Sequence, residues 1–197
     1  LVFLSLCFEI KAQESTSTKD SIPVAKESIA IGDISEESEK LGQQVSKLKS
    51  ALDAKNRILE IDSIVEAAAP KILELIDSTF LNREDVTLRD LKVRKVEWAS
   101  YKSILSEYQG VIKNRSEEIS KIINDVFYDI NRWELTKSEL ADRSESKDME
   151  DSFNKAILVL EEIMSIAHLR LDSVFVTQKK ITELVLVIDE EISNIEF

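Results

Sequence analysis

Few side chains in this 197-residue chain stand where they could do chemistry. His168 is the one histidine, and a histidine can ligate a metal or move a proton. A metal or acid–base site needs several convergent groups, and no cysteine or second histidine lies near His168 to complete one. Acids occur as neighbours at Glu161-Glu162 and Glu190-Glu191. Adjacent helix positions do not face each other, so these pairs cannot share a proton or clamp a cation. Serines and threonines are common, but none sits in a nucleophile elbow. No glycine-rich phosphate loop is present. Cys7 is the only cysteine, so no disulfide closes within the chain. It would suit a lipid attachment only with a small residue before it, and Leu6 is large. The expectation is a non-enzymatic chain with no catalytic residue, no cofactor and no metal site.

The elements that would carry these residues are helices. Gly (3) and Pro (2) are scarce, and both interrupt helices and build turns. A β-sandwich or doubly wound sheet would need many more turn residues. Aromatics make up 6% of the chain and charged residues 32%, a balance suited to a thin core under a broad solvated surface. The formal net charge of −12 disfavours nucleic acid as a partner, since it repels phosphate backbones. It also argues against docking on anionic lipid headgroups through basic patches.

Leu1 to Phe8 is an apolar run followed by Glu9-Ile10-Lys11-Ala12, the pattern of a secretory signal core with Ala12 just before the cut, or else the frayed apolar terminus of a longer domain. Ile10 fits the small-residue rule poorly, and the basic leader and initiator Met are missing, so the chain reads as truncated at its front. After Phe8 no apolar run approaches the roughly 20 residues that span a bilayer. Residues 13–32 read as a polar linker, extended around Pro23.

Two helices should occupy residues 33–86. Asp33 and Glu36 have capping-box spacing, and Leu41, Val45, Leu48 and Leu52 form one apolar stripe behind them. A second stripe runs from Ile58 to Phe80, with a kink or short break expected near Ala69 because Pro70 lacks a backbone donor. Residues 81–87 read as a connector, and Thr87 with Asp90 as the cap of the next helix.

Steps of seven from Leu91 meet Trp98, Leu105, Ile112, Ile119, Val126 and Trp133. Tyr101, Tyr108, Ile122 and Ile130 accompany them. The spacing predicts one helix over about 88–140, with a left-handed supercoil. Residues 141–151 have no periodicity and read as a loop. The seven-step then resumes at Phe153, Leu160, Ala167, Val174, Ile181, Ile188 and Ile195, with Ile157, Met164, Leu171, Val185 and Ile192 as its companion row. Two apolar seams of matched length and period should fold back on each other. Arg94, Arg115 and Gln178 interrupt the seam; their stems can be buried while their heads reach water, or they set register, or a further helix covers them. Trp98 and Trp133 fill the seam or anchor a tertiary or subunit contact. The fold class is therefore all-α: an elongated helical bundle dominated by a long antiparallel coiled-coil hairpin. Its expected organisation is a signal remnant at 1–12, a linker at 13–32, a short helical pair at 33–86 and the hairpin at 87–197.

This layout resembles the periplasmic N-terminal region of large members of the MscS-type mechanosensitive ion channel family. The resemblance rests on Asp33-Ile34, Ala69-Pro70, the Leu88 to Leu91 start of the long helix, and Val96-Glu97-Trp98 through Leu105 and Arg115 to Trp133-Glu134-Leu135-Thr136. It covers roughly residues 20–197 and includes no pore motif, so no functional residue carries over. It implies the periplasmic part of an inner-membrane channel that opens under membrane tension and relieves osmotic downshock. It further implies a ring-shaped homo-oligomer, with membrane segments outside this sequence. A secreted or periplasmic coiled-coil interaction module, or a receptor's sensor region, shares the same features up to Phe197.

Overall fold

The structure is a computed structural model describing residues 27–53, 57–81, 87–141 and 147–195. The expected signal remnant, most of the linker, and parts of the 81–87 connector and 141–151 loop lie outside the described residues. Among the described residues there is no strand. Four helices follow a short 3-10 turn at Ile31–Asp33: α1 (Ile34–Asp53), α2 (Arg57–Leu81), α3 (Leu88–Ala141) and α4 (Lys147–Ile195). None of them is long and apolar enough to cross a membrane.

The heptad rows make the hairpin. In α3 every seventh residue from Trp98 through Trp133, and Leu140 beyond it, is buried. In α4 the row Phe153, Leu160, Ala167, Val174, Ile181 and Ile188 is buried against it. Each large apolar side chain withdrawn from water in this way contributes about 1.5–3 kcal/mol before conformational entropy is subtracted. The two helices are antiparallel. Near the loop, the Trp133 and Phe153 rings meet edge to face at 5.8 Å, and Lys137 Nζ donates to Asn154 Oδ1 at 2.7 Å. At the opposite end Lys102 pairs with Asp189. With its 54 residues α3 is about 80 Å long, at roughly 1.5 Å per residue.

Instead of lying beside each other, α1 and α2 follow one another along the hairpin. Contacts between α1 and α4 start near the loop end and reach Asp53–Arg170; those of α2 continue at Asp62–Lys180. The pair therefore runs parallel to α4 and antiparallel to α3, and the rod is three helices thick. This third layer explains a second buried row on α4, offset by three from the first: Ala156, Ile163, Thr177, Leu184 and Glu191. The companion row expected four residues on, with Ile157, Met164 and Leu171, is only half-buried, and Gln178 within it is exposed. A helix covered on two sides shields both rows; a helix covered on one side would not.

The helix ends refine the expectations. Thr87 and Asp90 form a reciprocal cap: Asp90 N donates to Thr87 Oγ1 (3.3 Å), and Thr87 N donates to Asp90 Oδ2 (3.0 Å). The Thr87 hydroxyl also donates to Asp90 Oδ2 (2.6 Å), and this bond, followed by that from the Thr87 N–H, holds the Asp90 carboxyl below its usual value. At Asp33 a 3-10 turn intervenes, with Asp33 N bonded to Ala30 O. Glu36 reaches forward to Lys40 (2.8 Å). Pro70 does not end α2. It is exposed, and the carbonyl it leaves without its helical donor is that of Glu66, also exposed, where water can satisfy it. The last helix begins at Lys147, four residues before the expected end of the loop.

Leu105 and Ile181 are buried on facing rows. Single substitution of either by Asp is expected to lower stability by about 3–5 kcal/mol, the scale of an uncompensated buried charge. Thermal melts followed by circular dichroism read this directly, and unchanged melts in both variants would refute the seam.

Candidate functional site

The polar chemistry of the rod is concentrated where α1 and α2 are fastened to the hairpin. Arg115 is the most informative of these groups. It occupies a seam position of α3, yet its guanidinium turns toward the end of α1. There Nη2 donates to the carbonyls of Ala51 (2.8 Å) and Leu52 (3.1 Å), while Nη1 bonds Glu118 (3.0 Å). The last four carbonyls of any helix lack intrahelical donors, and the helix dipole leaves that end negative. A forked cation satisfies both needs at once. The interruption in the seam is thus the cap of a different helix.

At the loop end, Thr136 is buried. Its hydroxyl donates to the Arg132 carbonyl (2.8 Å) and accepts from the backbone N–H of Ile29 (2.8 Å), whose side chain is also buried. The segment that leads into α1 is thereby tied to the hairpin through one hydroxyl. Next to it, Arg132 bonds Glu37 (2.9 Å). The hydrogen bond from Lys40, helped by the Arg132 charge and opposed by partial burial, holds the Glu37 carboxyl below its usual value. Further along, Gln44 Nε2 donates to Asp129 Oδ2 at 2.7 Å. Here burial outweighs the hydrogen bond and pushes the Asp129 carboxyl above its usual value.

The second half of the fastening lies on α2. Asp62 Oδ1 accepts from Lys180 Nζ (2.8 Å) and from the buried Thr177 hydroxyl (3.1 Å), and Lys180 also reaches Glu66 (2.7 Å). These two acids raise the affinity of Lys180 for its proton. Between the halves, Lys49–Glu162 and Arg170–Asp53 pair across exposed surface. Exposed pairs of this kind contribute at most about 1 kcal/mol each, so they adjust register more than stability.

The groups considered first for catalysis are scattered. His168 is exposed on α4, and Glu161 and Glu162 are exposed with it. Glu190 is exposed while Glu191 is buried, so that pair is divided between the two sides of the helix. Among the described residues no three His, Cys, Asp or Glu side chains gather where a metal ion would fit. Cys7 lies outside the described residues. The concave features described are open grooves near the loop end. One of about 680 Å³ lies between α3 and α4, beside Lys137 and Ile157; one of about 300 Å³ lies between α1 and α4, beside Leu41 and Ala156. Trp98 and Trp133 are both buried, and Trp98 also packs against Tyr101 at 6.3 Å.

Sequence reasoning flagged Arg115 but missed its acceptors, which are backbone atoms. It also passed over Asp62, Asp129 and Thr177. The available signal for Thr177 was a row three residues beyond each seam position, obscured by its own polar members.

Replacing Arg115 by Met is expected to cost about 1–3 kcal/mol and to speed amide exchange at the end of α1, with Lys intermediate because it cannot fork. Denaturant midpoints and site-resolved hydrogen exchange measure both effects. For Asp129, a raised native pKa means the folded chain holds this proton more tightly than the unfolded one. Its contribution therefore favours the fold in acid and is withdrawn as pH rises through the native value. Asp129→Asn should raise the melting temperature near neutral pH, and the gain should shrink as pH falls through the carboxylate range. Glu37 works in the opposite direction, since its stabilising contribution is lost on acidification.

Comparison of the chain with protein-family models, with curated proteins and with solved structures finds no match, so any functional reading rests on the residues and geometry above.

Proposed function

We propose that this chain is a non-catalytic mechanical element: the periplasmic helical domain of a tension-gated ion channel of the MscS type, exported and acting in protection against osmotic downshock. The observation that carries the reading is the role of the residues that prompted the resemblance. Trp98, Leu105 and Trp133 are buried in the rod, Thr136 ties down the segment before α1, and Arg115 caps α1. A pattern retained for stiffness would be built from residues of this kind. In the proposed role, a three-helix rod about 80 Å long transmits displacement between the periplasm or neighbouring subunits and the membrane-embedded sensor. Homo-oligomerisation through the channel, and membrane attachment by segments outside this sequence, belong to the same proposal.

A second reading is an interaction module, secreted or periplasmic, or a receptor's sensor region. It is favoured by the exposed Leu169, Phe175, Val176 and Leu186 on α4, apolar side chains that a partner could cover.

The decisive experiment expresses the complete coding sequence in bacteria lacking their own tension-gated channels. Patches from their spheroplasts should carry a current that opens with suction, and the cells should survive dilution shock. No tension-dependent current, together with a product recovered free of the membrane, would overturn the channel reading and leave the interaction module.

A further inference from the structure

The outward face of the first turns of α3 differs from the rest of the surface. Leu88, Val93 and Val96 are 79%, 53% and 70% exposed. Arg89 and Lys92 are exposed beside them. At about 100° per residue these five side chains fall within an arc of roughly 140°, opposite the buried row that begins with Trp98. Of the acids on these turns of α3, Asp90 is held by Thr87 and Glu97 lies at the flank of the arc; on the adjoining end of α4, Asp189 is paired with Lys102 and Glu191 is buried, which leaves Glu190 as the exposed acid there among the described residues. Ala99, Ser100 and Ser103 extend the face without adding a negative charge, and the exposed Glu107 ends it. Basic and apolar side chains sharing one helix face suit a boundary between anionic headgroups and acyl chains.

We infer that this end of the rod docks on a bilayer containing anionic phospholipid, with Arg89 and Lys92 on the headgroups and Leu88, Val93 and Val96 at the acyl boundary. The chain-wide charge of −12 does not forbid this. Charges are screened over about 8 Å in physiological salt, and the far end of α3 lies nearly ten times that distance away. What the membrane meets is the local face, and that face is positive. Tilting the rod so that only these first turns touch keeps Glu107 and the acidic stretches beyond it off the surface. The inference stands independently of the channel reading, because it concerns only this face and a lipid surface.

The test is flotation of the 197-residue chain with vesicles of phosphatidylcholine alone, or with phosphatidylglycerol as the minor component. Tighter binding to the anionic vesicles, weakened by added salt, is expected. Arg89→Gln with Lys92→Gln should weaken it about 20-fold or more, since each basic residue near such a surface is worth about five-fold. Val93→Ser with Val96→Ser should weaken it about ten-fold. All four positions are exposed, so melting curves should match the parent and exclude a folding defect. Equal binding to both vesicle types would overturn the inference, as would no binding at all. Parent-like binding by the Arg89/Lys92 variant would do so too, and would place any lipid affinity on Leu1 to Phe8 instead.

Discussion

α4 carries two buried rows, and two rows cannot be covered by one partner. The first row, through Phe153, Leu160 and Ile181, is matched by the seventh-residue row of α3. The second, through Ala156, Ile163 and Leu184, stays in water unless another helix lies alongside. That requirement places α1 and α2 on the hairpin. The partner need not be one helix, because each turn of α4 asks only for local cover. Two helices in succession provide it, provided the ends between them are satisfied.

The join is therefore where polar groups matter most. A helix that ends against a packed face leaves carbonyls without donors, and burying them costs free energy. Arg115 reaches two such carbonyls from α3, which couples the end of α1 to the register of the hairpin. Thr136 does the same for the donor of Ile29 at the other end of α1. Apolar rows fix which faces meet but tolerate sliding by a heptad. These directed bonds are what select one register. Asp129 bears the cost of such a device, since its carboxyl is drawn partly out of water to accept from Gln44.

The hairpin was legible because its signal is redundant. Seven apolar residues at one period in each helix leave little room for another structure, and the Thr87–Asp90 cap could be read from two letters. The third layer was harder to read. Its row on α4 includes Arg170, Thr177 and Glu191, so a search for apolar letters skips it. Two of these polar residues are met by partners on the third layer: Asp53 meets Arg170, and Asp62 meets Thr177. Arg115 was visible as an anomaly, but its acceptors are main-chain oxygens, which no letter of the sequence marks. Asp33 had the spacing of a cap, yet the preceding 3-10 turn takes up its backbone donor. Pro70 suggested a kink or a short break; the helix runs on through it, and its missing bond falls on the solvent side, where it costs least.

Net charge was the least informative global quantity for a molecule of this shape. In a sphere of the same mass every charge would lie within a few screening lengths of every other. In a rod about 80 Å long the two ends are electrostatically separate at physiological salt. A total of −12 then says little about one end, where Arg89 and Lys92 are exposed on the same face. The same elongated geometry that lets two successive helices cover α4 thus gives the molecule ends with characters of their own. Partners of an elongated helical chain are better argued end by end and face by face than from its sum of charges.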